Sequence, residues 1–225
     1  MLKPPRLRSG LAAAAVGAIA LAACSLELPG QGEPPRQFVL TPKSTYDEDV
    51  PSVEWQLLVD KPVAKAGLDT SRIALRHSAI QFDYYGDAAW MDTAPGMVQA
   101  LLVESFENSG RIVGVSRFAI GVKSDFVLTT ELRHFWAEYQ GPKPVVGPNA
   151  RQRNKEAPKV RVSVIAKLIQ MPRRDIVASQ RFDSLVQAKG PEMLSIVEAF
   201  DEAIGKVMKR LVTWTLEQDK LNTTS

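Results

Sequence analysis

The sequence predicts a single α/β (α+β) domain: a mixed, mostly antiparallel sheet with two main helices packed on it. Three observations predict it. A capped helical pattern over about residues 94–109 is preceded and followed by short β-type runs. Three long strand patterns then lie in succession between 126 and 182, and an apolar stripe of helical spacing closes the chain from Met193 to Trp214.

The start of the chain reads as an address. Lys3, Arg6 and Arg8 precede an apolar run from Leu11 to Ala20, too short to stand as a permanent membrane span, and Leu21-Ala22-Ala23-Cys24 follows. This stretch resembles the lipobox of bacterial lipoproteins. The resemblance implies cleavage before Cys24, a diacylglycerol on its thiol and an acyl chain on the new amino group. The alternative is a signal cut elsewhere, with Cys24 incidental. Two or three acyl chains make an effectively permanent anchor, where one is reversible. Ser25 follows the cysteine; by resemblance to enteric lipoproteins, where Asp there favours the inner membrane, it implies outer-membrane sorting.

The expected organisation is a signal at 1–23, a lipidated tether at 24–36 rich in Pro and Gly, a domain at 37–219 and a polar tail at 220–225. The whole chain's 28 basic and 25 acidic residues become 25 of each once Lys3, Arg6 and Arg8 are removed. A neutral domain gives no footprint for nucleic acid. With its only cysteine acylated, it forms no disulfide and depends on packing.

Strands are predicted at Gln37 to Leu40, Trp55 to Val59, Ile73 to Leu75 and Ile80 to Tyr85. In the last, Ile80, Phe82 and Tyr84 alternate with polar neighbours, and Gly86-Asp87 reads as a turn. Asp92-Thr93 and Pro95 start the first helix; Met97, Val98, Leu101, Leu102 and Phe106 form its face, and Gly110 ends it. Arg111 to Ser116 is the next strand. The long strand from Phe126 to Trp136 offers Phe126, Leu128, Leu132 and Trp136 as one face. Val160 to Leu168 and Ile176 to Phe182 complete a meander. The last helix carries Ile196, Phe200, Ile204, Val207 and Leu211 inward, as core packing or as a face for a partner.

No catalytic constellation and no metal ligand set emerges. Two histidines and no free thiol disfavour zinc; His134 reads as a hydrogen-bonded core histidine, and no nucleophile elbow or phosphate loop is present. Two stretches are candidates for partner binding. One is the aromatic group Tyr84, Tyr85 and Trp90, with a core-edge role as its alternative. The other is the basic loop 140–157, with Lys143, Arg151, Arg153 and Lys155, which otherwise reads as a solvated connection.

The ordered set of features is similar to the ABC-type transport auxiliary lipoproteins, which accompany MCE-type and paraquat-inducible lipid transport systems. The residues that carry the likeness are the lipobox at Cys24, Phe38-Val39-Leu40 after the tether, and Tyr84-Tyr85-Gly86 running to Trp90. Asp125-Phe126-Val127-Leu128 and the final helix with Trp214 complete it. Asp83, Asp87 and the basic loop depart from the family pattern. The resemblance implies a non-catalytic, lipid-anchored periplasmic component of a phospholipid transporter. It needs no cofactor beyond the acyl chains at Cys24. Its implied partners are an MCE-domain protein and an ABC permease/ATPase, with phospholipid and a second copy of the chain compatible. An envelope lipoprotein that regulates cell-wall synthesis or outer-membrane assembly is the alternative function.

Overall fold

The computed structural model describes residues 34–117, 123–139 and 156–218. Cys24, most of the tether and the basic residues Lys143, Arg151, Arg153 and Lys155 lie outside them. In chain order the elements are β1 (Arg36–Phe38), β2 (Val53–Val59), β3 (Val63–Ala64), β4 (Arg72–Arg76) and β5 (Phe82–Trp90). Helix α1 (Ala94–Ser109), β6 (Ile112–Ser116), β7 (Phe126–Glu138), β8 (Lys159–Gln170), β9 (Asp175–Gln187) and α2 (Met193–Glu217) follow.

The nine strands form one mixed sheet organised by β7. On one side β7 pairs antiparallel with β8, and β8 with β9, which is the expected meander. On its other side it is met in turn by β2, β3 and β4, all parallel to it. Strand β6 extends the sheet beyond β2; β5 and then β1 extend it beyond β4. The chain from 53 to 76 thus climbs along one edge of β7.

Both helices lie on one face. The Thr93 hydroxyl accepts from Gly96 N at 3.3 Å and Pro95 occupies the first turn, while Gly110 leaves the helix at φ 61°, the left-handed conformation that suits glycine. Helix α1 packs on β2 and β6, and α2 on β8 and β9. Ile196, Phe200, Ile204, Val207, Met208 and Leu211 of α2 are fully buried against Val160, Val162, Val164, Ala166 and Leu168 of β8. The stripe of α2 is therefore core. Leu194, 61% exposed, stands off it.

Three expectations are corrected. A bulge at Arg133 sets two residues of β7 against one of β8, since Leu132 faces Val164 and His134 faces Ser163. The faces therefore change parity: Phe135 and Ala137 continue the core side, and His134 and Trp136 stand on the opposite side. Next, β5 begins at Phe82, and Ile80 is 98% exposed at the apex of a turn. There the Ser78 hydroxyl accepts from Ile80 N and Gln81 N, which is turn chemistry and not a ladder. Finally, Gly86-Asp87 is no turn but lies inside β5, and Asp87 pairs with Arg36 of β1 at 3.1 Å.

Candidate functional site

The sheet face opposite the helices holds a cleft of about 460 Å³ among β4, β5, β7 and the 77–81 turn. Lys65, Arg76, Phe82, Arg133, His134 and Trp136 form its working surface. The register explains the grouping. Arg76 is the cross-strand partner of Phe82, and the parallel β4–β7 pair sets Arg76 beside Glu138. The bulge at Arg133 brings His134 and Trp136 to the same side.

Arg76 is held by its own turn. Its Nε donates to Ser78 O at 2.9 Å and its Nη2 to Ala79 O at 3.1 Å, while the guanidinium carbon lies 5.2 Å from the Trp136 ring centroid. A guanidinium carries five N–H donors, so two bonds leave several for a ligand. Phe82 meets the edges of both Tyr84 and Trp136, at 5.5 and 6.0 Å between centroids. Phe82 is 40% exposed beside Ile80, so aromatic and aliphatic surface forms the lip.

The charges around the cleft are ordered. Arg161 holds Glu138 through Nε and Nη2, and Trp136 Nε1 donates to the same carboxylate. The hydrogen bond from Arg161, reinforced by Trp136, keeps the Glu138 carboxyl below the usual glutamate range despite burial. Arg133 pairs with Glu131 at 2.7 Å. Lys65 and Arg76 have no carboxylate in ion-pair contact among the described residues. Burial first, then the guanidiniums of Arg181 and Arg161, push His134 below the usual histidine range. The His134 ring lies 4.5 Å from Trp136, and its buried Nδ1 has no hydrogen-bond partner among the described residues. The expected hydrogen-bonded core histidine is thus a neutral imidazole in a positive field on the open face.

The aromatic trio of the sequence is divided. Tyr84 stands behind the cleft wall, against Phe82: its hydroxyl donates to Gly67 O at 3.0 Å, and the Arg72 guanidinium lies 3.6 Å over its ring. Tyr85 shares a 3.2 Å hydroxyl contact with Tyr139, and burial raises its pKa. Trp90 is 1% exposed and enclosed by Phe135 and Phe200, so it has no surface to offer a partner. Arg151, Arg153 and Lys155 lie outside the described residues. Sequence reasoning did not single out Arg76 and placed Trp136 on the core face; the spacing around Phe82 was visible, but the bulge that turns Trp136 toward it was not.

The chemistry available is recognition of an anion next to apolar surface: cations at the floor, aromatic walls and an aliphatic lip. No group of three or more metal-ligating side chains occurs among the described residues. No described helix is long and apolar enough to cross a membrane.

Known proteins support the fold and assign the family. The crystal structure of protein XCC0632 from Xanthomonas campestris aligns over 84% of this chain and 99% of its own, with 28% identity and a TM-score of 0.74. A second crystal structure, of an uncharacterized protein, shares the fold at a TM-score of 0.53 with 13% identity, over 85% of this chain and 97% of its own. An uncharacterized protein of Bradyrhizobium diazoefficiens, bll6063, is 26% identical over 183 residues. That is 77% of this chain but 45% of the relative, so the chain spans less than half the length of that curated protein. The model of the ABC-type transport auxiliary lipoprotein component matches residues 38–212, from β1 to the last turns of α2, and the chain belongs to that family.

Proposed function

We propose that the chain is a non-catalytic accessory lipoprotein of an MCE-type phospholipid transport system, anchored through acylated Cys24 to the outer membrane and facing the periplasm. The family match over 38–212 carries this reading, because it covers both the sheet and the helices that close it. In this reading the tether holds the domain near one membrane. The domain docks an MCE-domain protein served by an ABC permease and ATPase, and helps phospholipid cross between the membranes. Tyr84, next to Phe82 on the same strand, and the basic residues Arg151, Arg153 and Lys155 are offered as contacts for that partner. The site at Cys24 supplies position and no chemistry, since a thioether-linked cysteine is no nucleophile.

The test is affinity isolation of the acylated chain from envelopes under conditions that preserve other envelope complexes. Co-recovery of an MCE-domain protein with its permease and ATPase is the expected result. Recovery of none of them overturns the proposal. Fractionation of a Cys24→Ser variant checks the anchor, which predicts release from the membrane pellet.

A further inference from the structure

We propose that the open-face cleft binds the phosphate of a glycerophospholipid, with Arg76 as the principal phosphate ligand and Ile80 and Phe82 covering the first segment of the acyl chains. This deepens the lipid-transport reading above and rests on it for the identity of the amphiphile; the cationic and apolar halves of the site are observed independently.

Four features point there. Arg76 is a fixed cation: two of its donors are tied to the Ser78 and Ala79 carbonyls, its plane is set near Trp136, and its remaining donors are free to grip a phosphate. Lys65 and Arg133 add charge at the same cleft; among the described residues Glu131 pairs with Arg133, and Glu138, beside Arg76, is already held by Arg161. His134 lines the same cleft beside Trp136, held neutral by burial first and then by the Arg181 and Arg161 guanidiniums behind it, with Arg76 adding to them. Finally, the lip is apolar where a soluble surface would be polar, with Ile80 98% and Phe82 40% exposed. Its volume of about 460 Å³ suits a headgroup with the root of its chains.

A molecule with a phosphodiester and hydrocarbon only a few bonds apart satisfies both halves at once. Free phosphate would use the cations and leave the lip exposed. An acidic peptide would bring backbone groups that need partners, and the turn carbonyls nearest Arg76 already accept from it.

The experiment uses the domain from residue 35 onward. It contains the whole described core, and the crystallised XCC0632 chain, 99% covered by the alignment, corresponds to this domain. Binding of dihexanoylphosphatidylglycerol is measured by calorimetry below its micellar concentration. Inorganic phosphate and a glutamate-rich peptide serve as competitors. Saturable one-to-one binding is expected, weakened about tenfold by Arg76→Gln, the loss of one charge-assisted contact. Ile80→Ser, at a side chain that packs on nothing, is expected to weaken lipid binding while leaving the melting temperature unchanged. This keeps the test valid even if Arg76→Gln disturbs the turn. Equal binding by wild type and both variants, displacement by phosphate at matched concentration, or tighter binding of the peptide each overturns the proposal. If the lipid fails to bind while the MCE complex is still recovered from envelopes, the cleft assignment alone falls.

Discussion

The Arg161 guanidinium grips the Glu138 carboxylate with two hydrogen bonds, Nε at 3.1 Å and Nη2 at 2.8 Å, across the β7–β8 ladder. The pair is the most sheltered ion pair of the described residues, with the Glu138 side chain 15% exposed. The bond from Arg161 keeps the folded carboxyl below its usual 4.5. Its stabilisation is therefore complete above pH 4.5 and is lost as pH falls through the lowered value. His134 acts with the same sign at higher pH: its folded value lies below 6.5, so the unfolded chain takes up that proton first. Urea unfolding should show stability falling below pH 6.5 and again below 4.5. Glu138→Gln should cost about 1 kcal/mol at neutral pH and flatten the acid limb. An acid limb unchanged in that variant would assign the loss to other carboxylates.

The N-terminal segment is latched to the last helix. Asp201 of α2 accepts from both Thr41 N, at 2.6 Å, and Thr41 Oγ1, at 2.9 Å. The Ser105 hydroxyl then takes Lys43 N at 2.9 Å. Asp201→Ala removes the first clamp and should cost about 1–2 kcal/mol, since one backbone donor loses a charged acceptor. The specific readout is trypsin cleavage after Lys43, which should accelerate while cleavage within α2 does not.

Much of this was legible in the sequence, and the failures have physical causes. Helix α1 was readable to the residue because Thr93, Pro95 and Gly110 are local signals that act through the backbone they sit on. The meander followed from alternation in β8, where Val160 to Leu168 keep one parity throughout. Parity failed in β7 because a bulge adds a residue without a composition signal; Arg133 looks like any outward residue. The β5 start failed because Ile80 fits the alternation, yet the Ser78 hydroxyl captures the local backbone donors. The parallel approach of β2, β3 and β4 to one edge of β7 is set by pairing between distant segments, and β3 is two residues long. The cleft inherits both difficulties, since Arg76 and Trp136 meet only through that parallel pair and that bulge.

Tyr46 offers a spectroscopic check on the N-terminal latch. Its hydroxyl donates to Ser105 O at 2.8 Å, and burial pushes its pKa up to about 12 against an opposing effect of the Ser105 side chain. Ultraviolet titration of the folded protein should therefore show the Tyr46 phenolate forming near pH 12, well above the usual 10. A Tyr46→Phe difference spectrum isolates the signal, and ionisation near 10 would mean that the segment around Lys43 is open to water.

The bulge makes a prediction that strict alternation reverses. If β7 alternated without interruption from Phe126, His134 would face the helices and Phe135 the open side. With Arg133 inserted, Phe135 is 1% exposed and packs at 5.7 Å from Trp90 and 5.0 Å from Phe200, while His134 lies against Trp136 on the cleft. Phe135→Ala should then cost about 3–5 kcal/mol, the transfer free energy of a buried aromatic plus the cavity it leaves. His134→Ala should cost less than about 1 kcal/mol, because a half-buried ring is removed together with a buried nitrogen that lacked a partner. Urea denaturation of the two variants decides between the registers. A larger loss at His134 than at Phe135 would remove the bulge, and with it the placement of Trp136 in the cleft.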